Sequence, residues 1–328
     1  MPVISAVKRF SLSILFDNME NFADRLIATI RRKNSCVVVG LDPYFKLIPD
    51  TVKKKPIISH KPSLEYAARV ILEFNLQVID LIAPHVGIVK PQIAFYELYG
   101  WWGIWAYAET IKYAKHKGLI VIGDVKRGDV PSTAEAYAEA HIGEVHIDDI
   151  VETAFASDAI TVNPFLGSDS LLPFIQTAKK YHKGIFVLVK TSNPLSGEFQ
   201  DLMCGEMKLH EIIAQKTHEW GKDLIGKGGY SAVGAVVGAT YSQEIEILRK
   251  IMPSAFFLVP GYGTQGATAN DIKYCFNPDG LGAIINASRS ILYAYNNPPW
   301  KEKYGINAWK DATREAVIKM NEEIREIL

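Results

Sequence analysis

Short apolar, β-branched runs recur along the chain, and most are followed by a stretch whose apolar residues have helical spacing. The runs cover residues 36–42, 86–91, 119–126, 159–164, 184–191, 233–239, 256–261 and 283–287. Most are apolar at consecutive positions rather than alternating, the pattern of parallel strands covered on both faces. Helical patterns lie between them at 64–82, 104–115, 133–140, 171–180, 208–222 and 243–251. Strands alternating with helices in this number predict an α/β fold of the (β/α)8-barrel type. A doubly wound sheet is the alternative, but it usually has fewer strands. At 311–328, Val317, Met320, Ile324 and Ile327 share one helical stripe, which predicts a terminal helix docked on the barrel.

The ends of the apolar runs carry the chemistry. Asp42, Lys90, Asp124 with Lys126, Asn163, Thr191 with Ser192, Gln265 and Arg289 stand where runs stop or just beyond. In a barrel those ends converge on one face, where the active sites of such enzymes lie. Residues 51–61, with Lys53, Lys54, Lys55, Pro56 and Pro62 in or beside them, read as an exposed insertion after the first strand, and 226–230 as a loop.

Bulk properties narrow the partners. The chain has 328 residues, is 48% hydrophobic, and balances 36 basic against 36 acidic residues. Nothing resembles the basic stripe of a nucleic-acid binder, so none is expected. No apolar run is long enough to predict a membrane span. Cys36, Cys204 and Cys275 are few, odd in number and widely spaced, which argues against a disulfide framework or zinc site and suits a reducing cytoplasm. The segment from Lys8 to Phe16 faintly imitates a signal peptide, but serines interrupt it and Asp17 and Glu20 follow. Residues 1–18 are therefore read as an extension, and 19–328 as one barrel domain.

The strongest local signal is Gly123-Asp124-Val125-Lys126-Arg127-Gly128-Asp129. On a strand, Asp124 and Lys126 are two apart and face the same side; Asp129 follows after Gly128 lets the chain turn. An unpaired carboxylate in a dry site costs several kcal/mol or takes up a proton. Lys90, at the end of the second strand, can supply a second cation. An exposed Asp/Lys turn is the plain alternative, but such a turn has no need of a strand-end partner.

This Asp-x-Lys-x-x-Asp segment resembles the motif of the orotidine 5'-monophosphate decarboxylase family. Gly40-Leu41-Asp42-Pro43, the segment from Lys90 to Glu97, Leu188-Val189-Lys190-Thr191-Ser192-Asn193-Pro194, the segment from Pro260 to Gly266, and Asn286-Ala287-Ser288-Arg289 are similar to that family's other segments, in its order. The spacing resembles the longer branch found in many bacteria and in malaria parasites. The resemblance implies removal of CO2 from orotidine 5'-monophosphate (OMP) to give UMP in pyrimidine biosynthesis, with no cofactor and no metal. It implies a cytoplasmic homodimer with shared sites. Lys90, Asp124, Lys126 and Asp129 would form the catalytic quartet, with Asp129 reaching into the partner subunit's site and Lys126 protonating the carbanion. Asp42 would bind a ribose hydroxyl, Thr133 would reach across the dimer with Asp129, and Ser192 would meet the pyrimidine edge. Gln265 and Arg289 would hold the phosphate, Asn163 would stand near the site, and the loop from Ser192 to Phe199 would close over it. Pro131 departs from the family's usual glycine; it fixes φ and removes a donor, which puts the loop from Asp129 to Thr133 in question.

The chemistry fits these residue types. Loss of CO2 from the ring leaves a carbanion with no adjacent carbonyl to share its charge, and no pyridoxal or thiamine motif is visible to act as an electron sink. Preorganised charge must then do the work. Glycines at 261, 263 and 266 permit close backbone approach to a phosphate, and Arg289 adds a bidentate cation. Two rivals remain. One is a metal-dependent sugar-phosphate decarboxylase or aldolase of the same superfamily, which has a glutamate where this chain has Lys90. The other is a non-catalytic nucleotide-binding barrel. His141, Glu144, His146, Asp148 and Asp149 lack the i, i+4 histidine pair of a helical metal site and read as a solvated polar loop. The aromatic cluster from Phe95 to Tyr107 reads as packing, and Lys190 as a structural residue.

Overall fold

The computed structural model describes residues 20–54, 62–239, 242–262 and 269–328. The expected extension at 1–18, most of the 51–61 insertion, and Gln265 with Gly263 and Gly266 lie outside the described residues. Eight parallel strands close into a barrel. They are β1 (Val37–Leu41), β2 (Ile88–Pro91), β3 (Ile120–Arg127), β4 (Ala159–Val162), β5 (Gly184–Lys190), β6 (Ser231–Val237), β7 (Ala255–Val259) and β8 (Ala283–Ala287). Each pairs with its neighbours in sequence, and β1 closes the ring by pairing with both β2 and β8. All eight apolar runs are thus strands, with ends that either coincide with those expected or shift by one or two residues.

Nearly every strand residue is buried because side chains fill the barrel on one face and meet helices on the other. The main helices are α1 (Phe22–Lys33), α2 (Leu64–Ile82), α3 (Gly100–His116), α4 (Pro131–Ile142), α5 (Ser168–Lys180), α6 (Leu209–Gly221), α7 (Ser242–Ile251) and α8 (Trp309–Arg325). On α2, buried Val70, Ile71, Phe74, Val78 and Ile82 follow the 3.6-residue period, and Ser63 accepts from the Tyr66 N–H to cap its start. The terminal stripe docks as expected: Val317, Met320 and Ile324 of α8 are buried.

The periodicity did not reveal α1. It lies before β1, is capped by the Asn21 side chain, and sends Arg25 to Asp158 at 3.1 Å. The segment expected to be a solvated polar loop is instead an exposed hairpin, Val145–Ile147 with Ile150–Glu152. His141 is no part of its surface: it is buried and stacked on Phe155, and burial pushes its pKa down to about 3. A second hairpin pairs Met203–Cys204 with Met207–Lys208. In the aromatic cluster, Tyr96 and Tyr107 are wholly buried, while Trp102 and Trp105 lie under the Arg69 guanidinium. None of the described helices is long and apolar enough to cross a membrane.

The floor of the barrel, opposite the site, has its own fastening. Arg249 of α7 is buried and donates to the carbonyls of Met252, Ala255, Cys275 and Gly282, with its guanidinium 3.6 Å from the Phe257 ring centroid. One side chain thereby ties α7 to the starts of β7 and β8. Arg249→Leu would remove all four hydrogen bonds, and although the Met252 and Gly282 carbonyls keep the backbone N–H donors of Ala255 and Phe257, we expect it to lower stability by about 3 kcal/mol. Urea unfolding monitored by tryptophan fluorescence checks this; a loss under about 1 kcal/mol would refute the role.

Candidate active site

The strand C-termini surround a cavity of about 440 Å³, within the usual range for small-ligand sites. Asp42, Lys90, Asp124, Lys126, Ser192 and Arg289 all line it. Six of the expected site residues therefore share one wall, although they are spread over almost 250 residues of chain.

The centre is a Lys-Asp-Lys cluster. Lys90 Nζ donates to Asp124 Oδ2 at 2.7 Å, and Lys126 Nζ to Asp124 Oδ1 at 2.5 Å. Burial alone would push the Asp124 carboxyl up, but the two ammonium groups outweigh it and hold the carboxyl well below the usual carboxylate range. Burial likewise pulls Lys90 down, and Asp124 and Asp42 more than offset it, so its pKa is raised. Both groups therefore stay charged in a nearly dry site. Lys126 differs: 45% of its side chain is exposed, so its ammonium faces the open cavity.

The backbone at this point is irregular. Gly123 pairs with Ile160 and Arg127 with Val162, so Asp124, Val125 and Lys126 stand opposite Thr161 alone. Such a bulge re-aims side chains at the end of a strand. Lys126 itself has φ 47°, in the left-handed region that non-glycine residues seldom occupy. Strained backbone of this kind clusters at functional positions.

Two glycines bring the walls together. A Cβ on Gly40, near the end of β1, would stand 1.9 Å from Ser288 Oγ, and one on Gly238 would stand 2.8 Å from Ser192 Cα. The absent side chains let the Arg289 and Ser192 loops sit against the barrel rim. Apolar Leu188, Val236 and Leu258 also line the cavity.

Other expected residues stand elsewhere in the single chain. Asp129 is outside the cavity lining, and its Oδ1 accepts from the Val130 N–H at 2.8 Å. Thr133 is exposed on the first turn of α4. Pro131 starts that helix, where its fixed φ suits the first turn and its missing N–H has no intrahelical partner to lose; the loop accommodates it. Asn163 does not line the cavity: it is exposed, and its Oδ1 accepts from the Phe165 N–H at 3.0 Å, shaping the turn after β4. Lys190 is buried and donates to Asp201 at 2.6 Å, below the loop that carries Ser192.

The sequence reading missed Thr161, Asn286 and Ser288, which line the cavity. Thr161 and Asn286 are polar residues inside mainly apolar runs, three positions before and one position before the end of the expected strands. Attention to the last residue of each run passed over them. Asn286 Oδ1 is buried and has no hydrogen-bond partner among the described residues, as is true of Asp42 Oδ1, so each offers an acceptor at the cavity.

A (β/α)8 barrel with a paired lysine–aspartate cluster at its mouth, and with an arginine after the eighth strand, defines an enzyme class acting on small phosphorylated anions. The model of the Orotidine 5'-phosphate decarboxylase / HUMPS family matches residues 37–301. The chain is 44% identical to the orotidine 5'-phosphate decarboxylase of Caldicellulosiruptor bescii over 279 residues, covering 85% of this chain and 92% of that one. It is 41% identical to the Rhodopirellula baltica orotidine 5'-phosphate decarboxylase over 307 residues, covering 94% and 100%. The structure of Leishmania donovani OMP decarboxylase superposes with a TM-score of 0.71 and 29% identity, covering 94% of this chain and 98% of that one. The chain belongs to the orotidine 5'-phosphate decarboxylase family.

Proposed function

We propose that this protein decarboxylates OMP to UMP and CO2 without a cofactor, supplying UMP in pyrimidine biosynthesis. The observation that carries the reading is the clamped Asp124 carboxylate, 2.7 Å from Lys90 and 2.5 Å from Lys126, in the cavity that Asp42, Ser192 and Arg289 also line. The C6–carboxylate bond breaks and its electron pair stays on C6. The Lys126 ammonium stabilises that charge, transfers a proton to C6, and is reprotonated from solvent. Asp124 stands beside the departing carboxylate. Asp42, with its buried and unused oxygen, takes a ribose hydroxyl. Ser192 meets the pyrimidine edge, and the loop from Ser192 to Phe199 closes over it. Arg289 holds the phosphate together with Gln265. Enzymes lower barriers by roughly 8–23 kcal/mol. One lysine cannot supply the upper end, so phosphate and ribose contacts contribute by closing the site.

We further propose a homodimer in which Asp129 and Thr133 complete the partner's site. Their position outside the cavity of their own chain supports this. So does an apolar surface beside them: Val130 is 54% exposed and Phe165 86%, on loops joined by the Asn163 N–H donating to the Arg127 carbonyl at 2.8 Å. Asn163 then acts by shaping that surface. The cysteines are free, with Cys36 and Cys275 buried, which suits the cytoplasm.

Loss of OMP absorbance, followed with and without excess EDTA, tests the activity. The expected outcome is the same rate in both. A rate that EDTA abolishes and magnesium restores would favour the metal-dependent alternative, in which the Lys90 position would hold a metal ligand. A purified dimer that binds UMP but never turns over OMP would favour a nucleotide-binding barrel.

A further inference from the structure

The bulge that presents Lys126 leaves a hydrogen-bonding deficit. Three residues of β3 face one residue of β4, so the N–H groups of Val125 and Lys126 have no ladder carbonyl opposite them. Both donate instead to one side-chain atom, Thr161 Oγ1, at 3.0 and 2.9 Å. The same hydroxyl lies 3.0 Å from Asp124 Oδ1. A threonine hydroxyl has one proton and two lone pairs. The two N–H groups occupy both lone pairs, so the proton has one direction left, toward the carboxylate. All three capacities of the group are used, in a residue only 1% exposed.

We propose that Thr161 is a positioning residue for the reaction: its hydroxyl replaces the missing ladder carbonyl, holds Lys126 in its left-handed conformation, and fixes the rotation of the Asp124 carboxylate. The inference rests on the roles given above to Lys126 and Asp124. The geometry is closed around a single atom. Asp124 Oδ1 receives Lys126 Nζ and the Thr161 hydroxyl, while Oδ2 receives Lys90 Nζ. Thr161 thus holds Lys126 from two ends, through its own backbone N–H and through the carboxylate that its ammonium contacts. Without the hydroxyl, the strained residue at φ 47° loses its backbone acceptor, and the carboxylate loses one of the three donors that set its rotation. Thr161 donates nothing to the substrate in this scheme, so its loss acts on the placement of the reacting groups and leaves the ribose and phosphate contacts in place.

The test compares Thr161→Val, which keeps the shape and removes the hydroxyl, with Thr161→Ser, which keeps the hydroxyl. For each, kcat is measured from OMP loss, the UMP dissociation constant by calorimetry, and folding by thermal unfolding. Misplacement of reacting groups by about 1 Å costs on the order of 100-fold in rate. The valine variant is therefore expected to lose about 100-fold in kcat, and the serine variant to recover to within about threefold of wild type. The UMP dissociation constant should stay within about threefold in both. Should the valine variant not fold, the smaller Thr161→Ala is read in its place; if neither folds, Thr161 is a structural residue and the inference fails. It also fails if the folded variant keeps wild-type kcat, or if UMP binding weakens in parallel with kcat and serine gives no rescue. Lys126→Ala, assayed in the same series, separates the two layers. An active Lys126→Ala would overturn the mechanism itself, whereas a fully active Thr161→Val beside an inactive Lys126→Ala would overturn the positioning role alone.

Discussion

Lys126→Ala is expected to fold, to bind UMP, and to lose at least about 10⁴-fold in kcat, which corresponds to about 5.5 kcal/mol of transition-state stabilisation. The side chain is 45% exposed, so its removal opens no cavity in the core. Asp124 keeps Lys90 and Thr161 as donors and is not left as an unpaired buried charge. The proposed ground-state contacts to ribose and phosphate come from other residues, so binding should survive. What disappears is the more exposed of the two cluster cations, and with it, in the proposed mechanism, both the charge beside the developing carbanion and the proton that quenches it. Positioned charge of this kind is usually the largest single contribution to an enzyme's rate. Stopped-assay turnover together with UMP calorimetry checks the expectation. A variant that turns over at the wild-type rate would place the proton donor elsewhere.

Mixing two inactive variants should restore activity. Asp129→Ala removes the residue proposed to cross the dimer, and Lys126→Ala removes the one that stays at home. In a symmetric dimer, random exchange makes half the molecules hybrid, and one of the two sites in each hybrid has both residues intact. The mixture should therefore recover about a quarter of the wild-type activity. Neither parent alone can do so, since every one of its sites lacks one of the two groups. The geometry makes the assay discriminating: Asp129 is bound to the Val130 N–H and lies outside the cavity of its own chain. If subunit exchange is verified by mass spectrometry and no activity returns, Asp129 does not serve a neighbouring site.

The legible part of this protein was its periodicity. The strand run at Val37–Leu41 is buried and apolar throughout, and that at Ala283–Ala287 is so at every position but Asn286, because a barrel strand has no face turned to bulk water. Ile88–Pro91 and Ile120–Arg127 likewise ended at the residues that matter, Lys90, Asp124 and Lys126, because the strand ends of a barrel open onto its site. The early helix Phe22–Lys33 was less legible, since its mean hydropathy is low and its basic residues obscure the buried stripe of Phe22, Leu26 and Ile30. The hairpin at Val145–Glu152 looked like a polar loop because it is exposed and depends on pairing between its own strands rather than on burial.

The sequence by itself determined the barrel and the identity of the charged groups, since these follow from local spacing and from the types of residue at strand ends. Only the tertiary structure decided that Lys90 and Lys126 grip opposite oxygens of Asp124, that Asn163 turns away while Thr161 turns in, and that Asp129 stands apart from its own cavity. The physical reason is the bulge between Gly123 and Arg127. It depends on register with a neighbouring strand some forty residues away, and a period counted along one strand contains no information about the register of the next.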